Sequence, residues 1–343
     1  MQQIQQDKPL VAIKCLVYNH EPYLRDCFEG FVMQQTTFPF VAIVHDDAST
    51  DGSAAIIREY EEKYPDIIKP IYETENQYSK RDGSLTRIMN AAIEATGAKY
   101  IAMCEGDDYW TDSLKLQKQV DFMEANPEYG LCYTDYDMCD ENGNLTHKSC
   151  FEEGYAKPIL SFEEHLYRQG YIAPMTWLFR RDVYESFQHG MLAGTSDGSY
   201  VVALEFFYNS KVAFLPYTTA TYRVHQGSAS RPTSLHNFFK YRKSVYDTEK
   251  EYVRRYIQNE WILTFIIRQE IYELYPLAYK LGLQDYIEWC HNVSLMNPLI
   301  QLYYPNEMIR LEKEIVSARS SKAYRLGKFI LAPFKKIKQL LKL

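Results

Sequence analysis

The sequence lacks the features that mark several classes of protein. Its seven cysteines are an odd number without a C-x-x-C pair, so we expect a reducing compartment and neither a disulfide framework nor a zinc ribbon. The first residues, MQQIQQDKPL, do not join a basic segment to an apolar one, which argues against a signal peptide. No uncharged apolar run approaches the roughly 18 residues that a membrane-spanning helix needs. These absences favour a cytoplasmic protein.

Phosphate-loop, dinucleotide-binding and zinc-protease signatures are also missing. The chain has no GxxxxGK[ST], no pair of glycines one residue apart and no HExxH. One formal match exists, because Gly194–Gly198 fits the G-x-S-x-G nucleophile elbow with Ser196 at its centre. That motif requires a preceding strand, and Tyr184–Leu192 is not strand-like. We therefore regard an esterase as a poor interpretation.

Charge is distributed unevenly along the 343 residues, whose net charge is −7. Residues 317–343 hold eight of the 38 Lys and Arg and none of the 45 Asp and Glu, so residues 1–316 have a net charge of −15. An acidic body argues against a nucleic-acid-binding protein. The basic tail interleaves Lys with Phe334, Ile337, Leu340 and Leu341 at helical spacing. It predicts peripheral docking on the anionic inner face of the cytoplasmic membrane, with packing on the protein's own body as the alternative.

The first 110 residues alternate predicted strands and helices. The strands are Leu10–Tyr18, Phe40–Val44, Ile67–Tyr72 and Tyr100–Cys104, and the helices are Glu21–Gln34, Asp51 to about Tyr64, and Leu85–Ala95. This β-α-β-α order predicts an α/β fold with a mostly parallel, Rossmann-like sheet flanked by helices.

The remainder of the chain is predicted to change character twice. Residues 130–225 mix strands with helices: the strands are Leu131–Met138, Met175–Phe179, Lys211–Leu215 and Thr219–Val224, and the helices are Ser161–Gln169 and Asp197–Tyr208. From Leu235 onward we expect helices, broken at Pro276, Pro298 and Pro305. The predicted organisation is a domain over residues 1–230, a helical extension over 231–316 and the basic tail. Within the domain, residues 8–110 would bind nucleotide and residues 111–230 the acceptor.

Two acidic clusters follow predicted strands, Asp46-Asp47 and Glu105-Gly106-Asp107-Asp108. Ligands of parallel α/β sheets bind at the carboxyl ends of strands. An acid-x-acid pair there can hold a hard divalent cation, and the intervening glycine permits close approach of the backbone to a ligand. The alternative is a solvated turn in which an Asp caps the next helix.

The run Asp46–Ser53 (DDASTDGS) has two possible roles. Its Ser, Thr and Asp residues form a plausible N-terminal cap for the following helix. Asp46 and Asp47 precede the cap and are not needed for it. A carboxylate at that place can accept the imide N–H of a nucleotide base in an otherwise apolar pocket.

Taken together, Leu10–Asn19 ending in Val-Tyr-Asn, the run DDASTDGS and the run CEGDDYW resemble the inverting glycosyltransferases of family 2, which have the GT-A fold. The resemblance covers about residues 8–230. It implies that Val17, Tyr18, Asp46 and Asp47 hold the base, with Asp47 favoured for the imide contact. It also implies that Glu105, Gly106 and Asp107 bind the nucleotide sugar. Asp107 falls on the principal metal-ligand position, whereas Glu105 replaces the usual Asp and would contact either metal or ribose.

The later segments Asp197–Tyr200 and KVAFLPYTTATYRVHQGS resemble the same family. There the resemblance implies that Asp197 is the general base, although its position also suits a helix cap. His225 would reach the metal or the pyrophosphate, or be structural. A bound Mg²⁺ or Mn²⁺ would stabilise the diphosphate leaving group.

The implied activity is transfer of a sugar from a nucleotide diphosphate donor, expected to be UDP-linked, to an acceptor hydroxyl with inversion. The acceptor would be a glycan or a lipid-linked glycan of a bacterial surface polysaccharide pathway. One alternative is a nucleotide-sugar-forming nucleotidyltransferase, but Asn19–Pro22 stands where such an enzyme carries a Gly-rich basic loop. Another is a non-catalytic binding protein of the same fold, which would not need to retain Asp47, Asp107 and Asp197.

Overall fold

The structure is a computed structural model that describes residues 8–168, 170–192, 197–225 and 234–296. The chain divides into two compact units, Met1–Arg231 and Pro232–Leu343. Across those described ranges, no helix has both the length and the apolar character needed to cross a bilayer. Ser196, Pro298, Pro305 and the basic tail lie outside the described residues, and so do the predictions made for them.

The first unit is built on one sheet, which has nine strands in the described residues. These are β1 (Val11–Val17), β2 (Phe40–Asp46), β3 (Ile68–Tyr72), β4 (Tyr100–Met103), β5 (Tyr109–Trp110), β6 (Tyr129–Cys139), β7 (Leu145–His147), β8 (Leu178–Arg180) and β9 (Lys211–Arg223). Their order is β3-β2-β1-β4-β8-β6-β9-β5, and β7 pairs with β6. Strands β1 to β4 are parallel, as the alternating pattern predicted.

The α/β class is therefore confirmed, but the sheet is mixed rather than mostly parallel. Strand β8 runs antiparallel to both β4 and β6, and β5 and β7 are also antiparallel to their neighbours. Strand β7 returns from β6 through a tight turn at Asp140–Asn144, and a connection that short can join only antiparallel strands. Strands β6 and β9 restore a parallel pair beyond β8.

Helices connect and cover these strands. In the first unit they are α1 (Leu24–Val32), α2 (Ser53–Lys63), α3 (Gln77–Lys80), α4 (Ser84–Thr96), α5 (Lys115–Ala125), α6 (Phe162–Leu166), α7 (Arg181–Phe187) and α8 (Gly198–Asn209). Ile13 and Cys15 lie on the same face of β1, and both are fully buried in the same core as Phe28 of α1. All seven cysteines lie in the described residues, where they are buried and form no disulfide.

Two strand predictions in the second half of the sheet were wrong in detail. A single strand β9 replaces the predicted pair Lys211–Leu215 and Thr219–Val224. It passes through Pro216 because its register with β6 shifts there: Leu215 pairs with Thr134, and Thr218 pairs with the next residue, Asp135. Pro216 thus falls in a bulge, where its missing N–H is not required.

The predicted strand Met175–Phe179 begins later than expected. Residues Pro174–Thr176 form a 3₁₀ turn, and the strand β8 starts at Leu178. The Thr176 hydroxyl and the Thr176 N–H both donate to the carbonyl of Ala173, at 2.6 and 2.9 Å. Proline at the start of the turn fixes its φ in advance, which favours the turn over an extended strand.

The second unit contains α9 (Leu235–Tyr252), a π-helical turn at Val253–Ile257, α10 (Glu260–Leu281) and α11 (Gln284–Met296). The predicted break at Pro276 does not occur. Helix α10 continues through Pro276 to Leu281, and Gly282 is its C-terminal cap. Leu274, Tyr275 and Ala278 are buried on either side of the proline. We infer that this packing outweighs the loss of one helical hydrogen bond.

Candidate active site

The acidic loop after β4 is fixed against β1 and α1. The N–H of Gly106 donates to the carbonyl of Leu16 at 3.0 Å, which extends the β1–β4 pairing past the end of β4. A β-carbon on Gly106 would lie 2.8 Å from His20 Nδ1 and about as close to Leu24 and Val17. The glycine is therefore required for contact with the protein's own side chains, whereas the sequence had suggested close approach to a ligand.

Asp107 and His225 meet at this edge of the sheet. The His225 Nε2 atom lies 2.9 Å from Asp107 Oδ2, and the His20 Nε2 atom lies 4.0 Å from the same oxygen. Burial alone would raise the pKa of Asp107, but the hydrogen bond with His225 and the charges of both histidines outweigh it and hold this pKa below its ordinary value. The Asp107 carboxylate is therefore ionised at neutral pH.

The other oxygen of Asp107, Oδ1, is buried and has no hydrogen-bond partner in the part of the chain that the structure describes. A buried carboxylate oxygen without a partner is costly unless something else compensates its charge. An ionised carboxylate oxygen is a ligand that suits Mg²⁺ or Mn²⁺, whereas an imidazole nitrogen is more typical of other transition metals. Asp107 therefore fits the implied divalent cation, and His225 lies beside it.

Glu105 is not assembled with these two residues into a three-ligand site. Within the described ranges, no group of three or more His, Cys, Asp or Glu side chains is placed to hold a metal ion. The Glu105 side chain is exposed at the edge of the sheet, yet enough protein surrounds it to weaken the hydration of its charge. That partial burial, together with the charges of Asp107 and Asp197, raises the pKa of Glu105 to about 7, and Lys14 opposes the increase.

Lys14 was missed in the sequence, where it stands inside an apolar run. It is half-buried on β1, and its ammonium makes neither a hydrogen bond nor an ion pair within the described residues. Burial lowers its pKa, and the charge of Glu105 opposes that shift. The signal was available, because a lysine between buried Ile13 and Cys15 on a central strand must point to the opposite face of the sheet.

Arg223, at the end of β9, ties the acidic loop in place. Its Nε donates to the carbonyl of Asp107 at 3.0 Å, and its backbone N–H donates to Asp108 Oδ1 at 2.8 Å. The guanidinium lies over the rings of Tyr23 and Tyr109, at 4.8 and 5.2 Å. Since His225 follows two residues later, Arg223 fixes the geometry of His225 relative to Asp107. The sequence had drawn attention to this segment only for its histidine.

Asp108 supports the anchor that Arg223 forms. Its side chain is buried, and burial together with the neighbouring charge of Asp107 raises its pKa well above the usual range. The N–H of Arg223 supplies its hydrogen bond. We assign it a structural role in holding β9 against the loop.

The residues predicted to hold the base converge at the adjacent strand ends. Val17 and Asp46 are register partners on β1 and β2, and the N–H of Asp47 donates to the carbonyl of Val17 at 2.9 Å. Val17 is buried, whereas Tyr18 is 47% exposed. Asp46 Oδ1 accepts from the N–H of Ser49 at 3.0 Å. These four residues thus form one strand-end group.

Asp47 makes contacts that the sequence did not reveal. Its two carboxylate oxygens accept the N–H groups of Gln77 and Tyr78, at 2.6 and 3.0 Å, and so hold the start of α3. A carboxylate oxygen can accept more than one hydrogen bond, so these contacts leave further acceptor capacity. The base contact of Asp47 stays a prediction.

The polar residues of the DDASTDGS run bind the loop after β1. Ser49 Oγ and Ser53 Oγ accept from the N–H groups of Asn19 and His20, at 3.0 and 2.9 Å. In return, Asn19 Oδ1 accepts the N–H of Thr50 at 2.8 Å, and Asn19 adopts a positive φ of 55°. We call this reciprocal set the loop clasp. It fixes the loop after β1, which carries Tyr18 and His20.

Asp197 is the N-terminal cap of α8. Its Oδ1 accepts from the N–H of Tyr200 at 3.0 Å and from the hydroxyl of Ser199 at 2.7 Å. Its charge also contributes to the raised pKa of Glu105, which places Asp197 near Glu105. The capping interpretation is therefore confirmed, and the role of general base stays a prediction.

Tyr171 lies close enough to Asp197 for the two to interact electrostatically, and its ring centroid is 6.3 Å from that of Tyr222. Tyr171 is 41% exposed. Burial of its hydroxyl raises its pKa well above the usual range, and the neighbouring Tyr222 and the charge of Asp197 add to the increase. These rings offer flat apolar surface of the kind that packs against a sugar.

The segment before the G-x-S-x-G match is helical. Helix α7 is followed by a 3₁₀ turn at Gln188–Gly190, so the described residues ahead of the match contain no strand from which a nucleophile elbow could start. The esterase interpretation loses the context it needs.

A sequence model described as glycosyl transferase family 2 matches residues 15–187. An uncharacterized protein of Mycobacterium tuberculosis (Rv1520) is 32% identical over 215 residues, which are 63% of this chain and 59% of that protein. The putative teichuronic acid biosynthesis glycosyltransferase TuaG of Bacillus subtilis is 32% identical over 141 residues, 41% of this chain and 52% of its own length. The matches thus span little more than half the length of these relatives.

Two solved structures resemble this one in fold. TarS 1-349 from S. aureus in complex with UDP has a TM-score of 0.55 at 16% identity, covering 92% of this chain and 91% of that chain. Mannosyltransferase PcManGT from Pyrobaculum calidifontis, in complex with GDP-Man and Mn²⁺, has a TM-score of 0.53 at 15% identity, covering 98% and 88%. At these identities the likeness concerns the fold, which is that of a GT-A enzyme with a helical C-terminal part.

Proposed function

The chain belongs to glycosyl transferase family 2, and from that premise we propose that it transfers a sugar from a nucleotide diphosphate donor to an acceptor hydroxyl with inversion. The observation that carries the proposal is the buried, unpartnered Oδ1 of Asp107, placed beside His225 at the carboxyl edge of the parallel strands. In sheets of this kind that edge is where nucleotides bind.

Asp107 and His225 would hold a Mg²⁺ or Mn²⁺ ion, which when bound neutralises charge on the departing diphosphate. Arg223 keeps the two side chains in register by anchoring the acidic loop to the end of β9. The PcManGT complex with Mn²⁺ and GDP-Man supports a cation together with a donor in a fold of this type.

Val17, Tyr18, Asp46 and Asp47 would bind the base, since they form one group at the ends of β1 and β2. Glu105 would accept hydrogen bonds from the ribose hydroxyls, because its side chain is exposed at the edge of the sheet. The complexes of TarS with UDP and UDP-GlcNAc support a UDP-linked donor as the first candidate.

Asp197 would take the proton of the acceptor hydroxyl as the new glycosidic bond forms. Its carboxylate is held by the first turn of α8 in a fixed orientation. One base attacking from the side opposite to the leaving group gives a single displacement, and hence inversion at the anomeric carbon. Tyr171 and Tyr222 beside it would position the acceptor sugar.

The acceptor would be a glycan or a lipid-linked glycan of a bacterial surface polysaccharide, a class supported by the relative named for teichuronic acid biosynthesis. Residues 317–343 would place the enzyme on the inner face of the cytoplasmic membrane, because they carry eight basic and no acidic residues. An enzyme held there would share a surface with a lipid-linked acceptor.

Calorimetric titration of UDP and GDP, with and without Mn²⁺, tests the proposal. Asp107→Asn should remove the Mn²⁺-dependent part of nucleotide diphosphate binding, because it removes the charge that holds the cation. Asp140→Asn, in the exposed turn after β6, is the matched control and should bind as the wild type does. Equal Mn²⁺ dependence in all three proteins would refute the assignment of Asp107.

A further inference from the structure

The segment between β3 and α3 folds over Asp47. The carboxylate of Asp47 accepts the first two backbone N–H groups of α3, as described above, and the side-chain amide of Asn76 donates to the Asp47 carbonyl at 3.1 Å. Nearer to β3, the N–H of Glu73 donates to the carbonyl of Asp46 at 3.0 Å. Asp47 is buried under these contacts. The segment therefore fixes the direction in which the remaining lone pairs of its carboxylate point.

The side chain of Gln77 holds this segment in one conformation. It is buried, and its Nε2 donates to Glu73 Oε2 at 3.1 Å and to the carbonyl of Glu75 at 2.9 Å. Its Oε1 accepts from the ammonium of Lys80 at 3.0 Å. Both N–H groups and the oxygen of the Gln77 amide are thus engaged, so this side chain has little freedom to rotate.

Glu73 connects Gln77 to the interior of the sheet. One oxygen of Glu73, Oε2, accepts the Gln77 amide, and the other, Oε1, lies 3.4 Å from Nε2 of His45. His45 is fully buried on β2, two residues before Asp47. A chain of contacts therefore leaves β2 at His45 and returns to it at Asp47. We call the contact between Glu73 and Gln77 the carboxylate brace.

We propose that Glu73 and Gln77 are positioning residues that set the base selectivity of the site by fixing the orientation of the Asp47 carboxylate. The inference rests on the proposed function, in which Asp47 accepts a ring N–H of the base. A carboxylate can only accept hydrogen bonds. Uracil, thymine and guanine present a ring N–H, whereas cytosine and adenine present an unprotonated ring nitrogen at the corresponding place. A carboxylate held in one orientation selects the first group, and one that can turn away loses part of that selectivity.

Calorimetric titration of UDP and CDP in the presence of Mn²⁺ measures this selectivity in the full chain. We expect the wild type to bind UDP about tenfold or more tightly than CDP, because only uracil offers a donor to the charged acceptor. Glu73→Ala removes the carboxylate brace and should lower this ratio by about threefold or more, through weaker binding of UDP. Glu73→Gln keeps an oxygen that can accept the Gln77 amide, so it should keep the wild-type ratio.

Binding of inorganic pyrophosphate with Mn²⁺ separates positioning from a general loss of structure. Pyrophosphate has no base, so its affinity should be the same in the wild type and in both Glu73 variants. Glu59→Ala, which breaks an exposed pair with Arg25, is the matched control and should keep the wild-type UDP to CDP ratio. The proposal is overturned if Glu73→Ala keeps the full ratio, or if it loses pyrophosphate binding to the same extent as UDP binding.

Two further variants test the carboxylate brace without shortening a side chain. Gln77→Glu puts a carboxylate where the amide now lies 3.1 Å from Glu73 Oε2, so repulsion should open the contact and lower the ratio. The double variant Glu73→Gln with Gln77→Glu places an amide opposite a carboxylate again and should restore selectivity. A double variant that selects no better than Gln77→Glu alone contradicts the proposal.

The wild-type result distinguishes this inference from the proposed function. A wild type that binds UDP and CDP equally, or binds neither, contradicts the base contact of Asp47 and with it the carboxylate brace. Selectivity that is present in the wild type and unchanged in Glu73→Ala and Gln77→Glu leaves the contact of Asp47 in place and contradicts the brace alone.

Discussion

At the scale of single residues, Asp197 combines two demands in one side chain. It caps α8 through Oδ1, and in the proposed reaction it must also accept a proton. The two roles can be separated because asparagine is as good a helix cap as aspartate but a far weaker base.

Asp197→Asn should therefore keep stability and donor affinity while kcat falls by about 10²-fold or more. Asp197→Ala should show the same loss of kcat and also lose about 0.5–2 kcal/mol of stability, because the cap is gone. Thermal melts and steady-state kinetics on both variants provide the comparison. A raised KM with normal kcat in Asp197→Asn would instead mark Asp197 as a binding residue.

The site residues that could be predicted from sequence are those with a motif around them. Asp107, Asp197 and His225 stand in such segments, and the structure brings Asp107 and His225 within hydrogen-bond distance. The face of the sheet to which Lys14 points was predictable, but the role of Arg223 was not, because an isolated cation on a strand has no spacing rule. The role of Arg223 comes from contacts across the sheet, such as the one with the carbonyl of Asp107.

At the scale of secondary structure, the strands β1 to β4 were predictable because each is a short apolar run that ends at a polar turn. The errors occurred where tertiary contacts override local preference. Pro216 is tolerated inside β9 by a change of register, and Pro276 inside α10 by packing on both sides. Both compensations depend on partners from other elements, β6 for Pro216 and the neighbouring helices for Pro276.

Helix α5 contains a fully buried basic side chain, Lys115. The Lys115 ammonium donates to Gln119 Oε1 at 2.6 Å and lies 4.4 Å from the centre of the Trp110 ring, with no exposed surface. Burial lowers its pKa to about 8. In the unfolded chain this group keeps an ordinary pKa near 10.4.

Because the folded-state pKa is the lower one, the unfolded chain binds more protons between about pH 8 and 10.4, and stability from this group rises with pH in that window. Lys115→Met removes the dependence. We expect the stability of the wild type relative to Lys115→Met to increase from pH 8 to pH 10, measured by urea unfolding. Lys118→Met, at a half-buried pair with Asp112, is the control. A constant difference across this range would contradict burial of the ammonium.

At the scale of the whole molecule, opposite charges are concentrated in different parts of the chain. Residues 1–316 have a net charge of −15 and residues 317–343 a net charge of +8. An anionic membrane repels the former and attracts the latter. The proposed membrane contact through the tail should therefore depend strongly on salt, because exposed charges are screened over about 8 Å at physiological ionic strength.

Replacing Lys335, Lys336, Lys338 and Lys342 by Gln should weaken binding to phosphatidylglycerol vesicles at low salt and flatten its salt dependence, by about 1 kcal/mol for each charge removed. The same four positions changed to Arg keep the charge and should bind as the wild type does. Vesicle sedimentation at two salt concentrations makes the measurement. If the Gln and Arg variants sediment alike, the tail is not the electrostatic anchor.

The loop clasp has a consequence for inheritance within the family. Ser49, Ser53 and Asn19 hold two loops together through backbone groups, so they would support the fold whether or not the protein still catalyses a reaction. Selection for folding would then preserve Ser49, Ser53 and Asn19 even after Asp107 had been replaced. A duplicated copy could therefore keep the most recognisable stretch of this sequence and have lost its chemistry. Under the proposed role of Asp107, the identity of position 107, rather than the DDASTDGS run, should distinguish an active member of the family from an inactive one.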